Sequence, residues 1–475
     1  MKDIFELRTV RALAAALSPS AQSAESSCVS AFSLIGEKDR ALLPSGLTDA
    51  YPLAQVQLGM LVEMLADDSR NRYHNTASFR VRDGRPFQTE ALQQAAAAVL
   101  ERHEMLRTSF DLDRYSVPMQ LVHTTATMPV QVRDLRGLSP QDLATDLQEF
   151  TAAERGTLFD LQQAPLMRIT AHVESDEAWW MSVSVCHPIT EGWSHRALLV
   201  ELVEGYLHAR AGELAPALEL PQVRYADFVA AELESLDSPE EREFWQDTIT
   251  EHERFELPQG WGDVPGTHVV RVPLGDLRPR LQELAGRADA SLKSVLLSAH
   301  LAVLGRLTDL EAFHTGLVCS GRPEVLGSEK VYGMYLNTLP FPHRRQSGSW
   351  GELIRQTFDT EAAIWPHRRF PMPEIQRMAG EGRLLDARFS YLDLDRSASD
   401  NSDDSDVVDA ESGLGEGATE FGLAIAARGS EILLTVDTSR LSRTSADVSA
   451  RPTGPPCRTL PRKGSRRRCG CPACR

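Results

Sequence analysis

The sequence predicts a mixed α/β fold, and one strand-like run and two helical patterns in a long chain carry that reading. At 475 residues the chain is long enough for two to four domains. The run Trp179-Trp180-Met181-Ser182-Val183-Ser184-Val185 is apolar and strand-like. Helical spacing then sets in near Ser194, with Leu198, Leu199, Leu202, Val203 and Tyr206 on one side. A second amphipathic helix runs into Arg102, with Leu92, Ala96, Val99 and Leu100 at helical spacing.

Taken in chain order, Met1 to Leu17 form a helical pattern with acidic residues and an Arg. They lack the basic start and apolar core of a signal peptide. Residues 18–46 are rich in Ser and Ala and read as a linker. No run of about 20 apolar residues occurs, so no membrane span is expected. Cys28, Cys186 and Cys319 are scattered, which fits reduced thiols and a cytoplasmic protein. The net charge of −17 argues against nonspecific nucleic-acid binding, which needs a basic surface. Asp393 to Glu416 gathers acidic residues among Ser and Gly and reads as a solvated loop.

The stretch most informative about chemistry is Cys186-His187-Pro188-Ile189-Thr190-Glu191-Gly192. It joins the apolar strand to the helix. An imidazole with a pKa near ~6.5 can accept or donate a proton at neutral pH. The carboxylate can fix the loop by pairing with an Arg, and the glycine permits a sharp or positive-φ turn. This segment resembles the HHxxxDG motif of condensation domains in nonribosomal peptide synthetases. Cys186 stands in place of the first His and Glu191 in place of the Asp, while the second His is kept as His187.

Further strings resemble the same family in the same order. They are Tyr51 to Met60, Arg102 to Phe110, Arg224 to Phe228, Ser320 to Pro323 and Tyr332 to Pro340, with a looser match at His367 to Pro371. Some have plainer readings. Tyr225 to Phe228 could start a helix, and Asn337-Thr338 could end a strand.

The resemblance implies an α+β architecture of two chloramphenicol acetyltransferase-like lobes. These form a V-shaped pseudo-dimer with a central tunnel, over residues 47–218 and 219–450. It implies amide-bond formation between a donor acyl or peptidyl thioester and an acceptor aminoacyl thioester. Both arrive on the 4'-phosphopantetheine arms of upstream and downstream carrier domains, beside an adenylation domain. No cofactor of its own, no metal, no membrane partner and a monomer are expected. His187 is the implied catalytic residue, as general base or as a positioning group. The N–H of Gly192 could face the oxyanion. Glu191 is implied to pair with Arg322 across the lobes, with Arg107 a second support for the loop. Cys186 reads as packing. Trp193, Ser320 and Asn337 are candidates for the tunnel wall. Two alternatives remain: a free-standing acyltransferase making esters or amides, and a noncatalytic domain that docks carriers.

The two ends differ from the rest. Asp3 to Ala14 resembles the last helix of a peptidyl carrier domain, with a stripe of Val10, Leu13, Ala14 and Leu17. Residues 1–17 are therefore expected to be a carrier remnant. Residues 451–475 turn basic and hold Cys457, Cys469, Cys471 and Cys474. Such a tail could bind zinc or touch nucleic acid. The preferred reading is an out-of-frame translation that leaves the second lobe without its closing helix.

Overall fold

The computed structural model describes Arg11 and residues 28–66, 73–82, 84–213, 222–392, 408–409, 420–429 and 431–450. Most of the expected carrier helix and the whole basic tail lie outside the described residues, as does most of the acidic loop.

The first half of the chain builds two sheets. Strands β1 (Leu47–Pro52), β4 (Met119–His123) and β3 (Thr108–Asp111) form a small antiparallel sheet in the order β1-β4-β3. A five-stranded sheet contains β2 (His74–Arg82), β7 (Ala178–Cys186), β6 (Met167–Val173) and β5 (Val130–Asp134). The same half carries helices α1 (Glu37–Arg40), α2 (Gln55–Ala66), α3 (Thr89–Arg102), α4 (Pro140–Arg155) and α5 (Gly192–Ala211). Helices α3 and α5 cover the five-stranded sheet. Their apolar stripes, Leu92, Ala96 and Val99 on one and Leu198, Leu202 and Tyr206 on the other, join Ile169, Met181 and Val183 in one core. Helix α5 comes close to α3 at Gly205, where a Cβ would stand 3.3 Å from that of Ala95.

The strands of the second half are β8 (Glu253–Arg254), β9 (Thr267–Pro273), β10 (Ala312–Ser320), β11 (Leu336–Arg344), β12 (Ala387–Leu392), β13 (Val408–Asp409), β14 (Leu423–Arg428) and β15 (Glu431–Asp437). Most of them form a larger sheet in the order β11-β10-β12-β14-β15-β9, with the short β8 paired to β10. Trp245, Leu297, Leu301, Phe313, Leu339, Phe370 and Phe389 are buried in its core. The fold is thus mixed α/β, as the sequence predicts. Among the described residues, no single helix is long and apolar enough to cross a membrane.

Two boundaries differ from the sequence reading. Strand β13 pairs antiparallel with β2, setting Val408 opposite Val81 and Asp409 opposite Arg80. A cut at 218/219 therefore does not separate the sheets, because the second half returns a strand to the first. The described part of the expected linker, 28–46, folds onto the domain. Asp39 is buried and takes hydrogen bonds from Ser116, and the Phe32 N–H donates to Asp49 at 2.5 Å. Phe32, Ile35 and Leu43 pack against Ala50 and Met119. Ser- and Ala-rich composition hid these few apolar anchors. At the far end, a helix over Arg443–Ala450 buries Ala446 against the second-lobe core.

Candidate active site

Strand β7 delivers the motif loop to the interior. Its last residue, Cys186, is fully buried, and the chain turns through a single 3-10 turn at His187–Ile189. Pro188 suits the first turn because its missing N–H has no helical partner to lose. Backbone bonds hold the turn: the His187 N–H donates to Tyr73 O at 2.7 Å and the Thr190 N–H to His187 O at 2.9 Å. Gln57, buried near the start of α2, donates from Nε2 to Pro188 O at 2.9 Å. Its Oε1 accepts from the N–H of Ala54 and from Gln120.

Glu191 is the N-cap of α5. Its carboxylate accepts from the N–H groups of Trp193 at 2.7 Å and Ser194 at 3.1 Å, satisfying donors that a helix start leaves open. It also accepts from Ser194 Oγ at 2.9 Å and pairs with Arg322 at 2.7 Å. Arg322 donates further to Ser194 Oγ and to the carbonyls of Ser328 and Val331. Its guanidinium lies 4.0 Å from the centre of the Tyr335 ring. Ser194 Oγ also lies 3.2 Å from Gly333 O. A second junction sits further along α5. There Glu201 accepts from Arg102, from His103 at 2.9 Å and from Tyr332 at 2.6 Å, with His103 stacked on Tyr332. Tyr225 closes the seam by donating to Met334 O at 2.7 Å, and a Cβ at Gly333 would collide with its ring at 2.3 Å.

His187 itself is half-buried, and its Nδ1 is enclosed with no hydrogen-bond partner among the described residues. Burial holds its pKa below the ordinary histidine value, against the hydrogen bond with Thr190 and the charge of Glu191, which raise it. The positive charge of Arg388 works in the same direction as burial. The ring is therefore neutral at neutral pH and can accept a proton. His195, also half-buried with an unpartnered Nδ1, is held at about 4 by burial and by His187.

Several sequence expectations change. The helix starts at Gly192 rather than Ser194, and Gly192 has no positive φ, so it is a first helical residue and not a strained turn. Arg107 does not reach the loop; it donates to the carbonyls of Leu100, His123 and Thr124, tying α3 to β4. Asn337 is not free to meet a ligand, because it donates to Arg368 O and Phe370 O and accepts from the Met372 N–H. Ser320 is exposed and accepts from the Arg322 N–H at 3.3 Å. Trp193 is exposed, its indole N–H 3.4 Å from Glu329 O. Cys186 lies in an apolar setting that pushes its thiol up to about 12, which suits packing and not nucleophilic attack. Sequence reasoning missed Gln57, Ser194, His195 and Arg388.

A cavity of about 610 Å³ opens in the second lobe, lined by Arg254, Glu256, Asp386 and Arg440 among others. None of its lining residues belongs to the motif loop. Arg254–Glu256 and Arg440–Asp386 pair within it, so it carries no reactive argument.

Comparison with known proteins agrees with this geometry. The family model of the condensation domain matches residues 47–439. The chain is 35% identical over 406 residues to the AMB antimetabolite synthetase AmbE of Pseudomonas aeruginosa, covering 83% of this chain and 19% of that protein. It is 26% identical over 337 residues to gramicidin S synthase 2 of Brevibacillus brevis, covering 69% of this chain and 7% of that protein. The chain thus spans less than a fifth of the length of either relative. The first condensation domain of the calcium-dependent antibiotic synthetase superposes with a TM-score of 0.68 at 18% identity, covering 84% of this chain and 94% of that one. The X-domain from teicoplanin biosynthesis superposes with a TM-score of 0.67 at 21% identity, covering 84% and 92%. With its motif loop capped by Glu191 and locked by Arg322, the chain belongs to the condensation-domain family of nonribosomal peptide synthetases.

Proposed function

We propose that this chain joins a donor acyl or peptidyl thioester to the amino group of an acceptor aminoacyl thioester, each held on the phosphopantetheine arm of a carrier domain. The observation that carries this is His187: a neutral, half-buried imidazole on a loop fixed from both lobes. The acceptor amine attacks the donor carbonyl, the C–N bond forms and the C–S bond breaks. The amine gives up a proton and the departing sulfur leaves as a thiol. With Nδ1 enclosed, Nε2 is the nitrogen of His187 left to take the amine's proton. Holding two tethered substrates in one space makes their encounter effectively unimolecular. The first helical N–H groups of α5 point to the loop; Glu191 takes those of Trp193 and Ser194, and Gly192 N–H is the candidate donor to the developing oxyanion.

In this reading the substrates come on carrier domains before and after the chain, next to an adenylation domain, and the chain needs no cofactor or metal of its own. It acts as a monomer in the cytoplasm, with lobes over 47–218 and 219–450 apart from β13, which the second half returns to the first. Purified chain mixed with loaded donor and acceptor carriers yields dipeptidyl carrier, read by intact mass. Carriers that remain singly loaded overturn the proposal.

A noncatalytic docking role is the second reading. The Cys186 and Glu191 departures favour it, as does the X-domain from teicoplanin biosynthesis, solved in complex with OxyB. Binding of loaded carriers by well-folded chain without product supports that role instead.

A further inference from the structure

Arg388 is a cation deep in the protein that the reaction described above does not use. It lies on β12 across from Gly316 of β10. A Cβ at Gly316 would stand 3.1 Å from the Arg388 Cβ and 3.1 Å from Thr338 Cγ2, so the missing side chain makes room for the arginine stem. The guanidinium lies 5.3 Å from the centre of the Phe421 ring. Its Nε is enclosed and has no hydrogen-bond partner among the described residues. The charged and titratable groups around it are Glu420, Tyr73, Arg428 and His187. No described carboxylate forms an ion pair with it. The side chain as a whole nevertheless keeps some accessible surface, as do His187, His195 and Tyr73.

A guanidinium left unpaired in the interior is costly, and a ligand that brings the missing anion removes that cost. Its planar fork of donors matches a carboxylate at two points. The phosphate of a carrier arm is at the end remote from the thioester, so the group that comes to His187 is the acyl end. Resting on the proposed condensation chemistry, we infer that Arg388 recognises a carboxylate carried by the aminoacyl group of a substrate. The chain then selects an acidic residue on either the donor or the acceptor.

Stable pantetheine amides separate the two sources. Glutamyl-aminopantetheine with a free α-amine imitates the acceptor, and its N-acetyl form imitates the donor. Each is paired with the glutaminyl analogue, and binding to the full chain is measured by calorimetry. One glutamyl probe binds at least about tenfold more tightly than its glutaminyl partner, as expected for a charge-assisted pair. In Arg388→Met that ratio falls to near one, and Arg388→Lys keeps part of it. Equal binding of both probes by the wild-type chain, or a ratio that survives in Arg388→Met, overturns the role of Arg388 alone. If no pantetheine probe binds, the condensation reading falls and this inference falls with it.

Discussion

At Glu191 both carboxylate oxygens are engaged by Trp193, Ser194 and Arg322, whereas four residues earlier His187 keeps an enclosed Nδ1 with no partner among the described residues. The two ends of one loop thus treat buried polar groups in opposite ways. A satisfied network makes a unique, rigid structure, and an unsatisfied group is a cost that a fold keeps only for another purpose. His195 and Arg388 share the incomplete state of His187, and both are within electrostatic reach of its imidazole. In the proposed reaction the Glu191 end is scaffold and the His187 end is held open for substrate.

Replacing His187 by Ala is the strongest way to break this contrast. Condensation falls by about 10²–10⁴-fold, the range for a placed acid-base group. Thermal stability changes far less than activity, since the ring loses only its contacts with the Thr190 backbone and Tyr73. Because burial lowers the His187 pKa, the active neutral form persists below the ordinary histidine value. The acidic limb of a pH–rate profile is therefore centred below about 6.5. An acidic limb centred above about 6.5 refutes the neutral-imidazole assignment.

Arg322→Ala attacks the other end. It leaves the Glu191 carboxylate buried without its counter-ion, a change that costs about 3–5 kcal/mol. Denaturant titration reports this as a lower midpoint, with activity lost through the loop. A smaller loss follows in Gln57→Leu. That change removes a donor from Pro188 O and an acceptor from the Ala54 N–H, and costs about 1–3 kcal/mol. If Gln57→Leu proves as stable as the parent, the loop is not braced from α2 and the scaffold picture is too broad.

The same contrast explains what is legible in the sequence. His187, Glu191 and Arg322 are readable because the order of the motif strings places them, whatever their separation along the chain. Local physics locates α3 and α5 through their apolar spacing. It places the α5 start two residues late, because Glu is a less usual cap than Asp or Ser and Gly192 looks like a turn. Arg107 is misassigned for a related reason: a charged residue inside a motif string looks like site chemistry, while its bonds to three carbonyls emerge only when β4 packs beside α3. Arg388 gives no signal at all. In Ala387-Arg388-Phe389 it looks like the solvent side of an alternating strand, and only the packing against Gly316 and the Phe421 ring encloses it.

Cysteine provides the finest test, because Cys186 and Cys28 differ in one respect that matters. Cys28 is exposed, with its sulfur 3.1 Å from Gln222 O. Cys186 is enclosed next to the catalytic candidate, and burial raises its thiol to about 12, so almost no thiolate exists at neutral pH. Native chain treated with iodoacetamide and mapped by mass spectrometry is alkylated at Cys28 and spared at Cys186. Cys186→Ala condenses at the parent rate and loses only about 1 kcal/mol of stability, the ordinary cost of a small core change. Alkylation at Cys186, or a loss of rate with stability intact, makes the thiol a participant and moves the line between scaffold and reactive end one residue toward the strand.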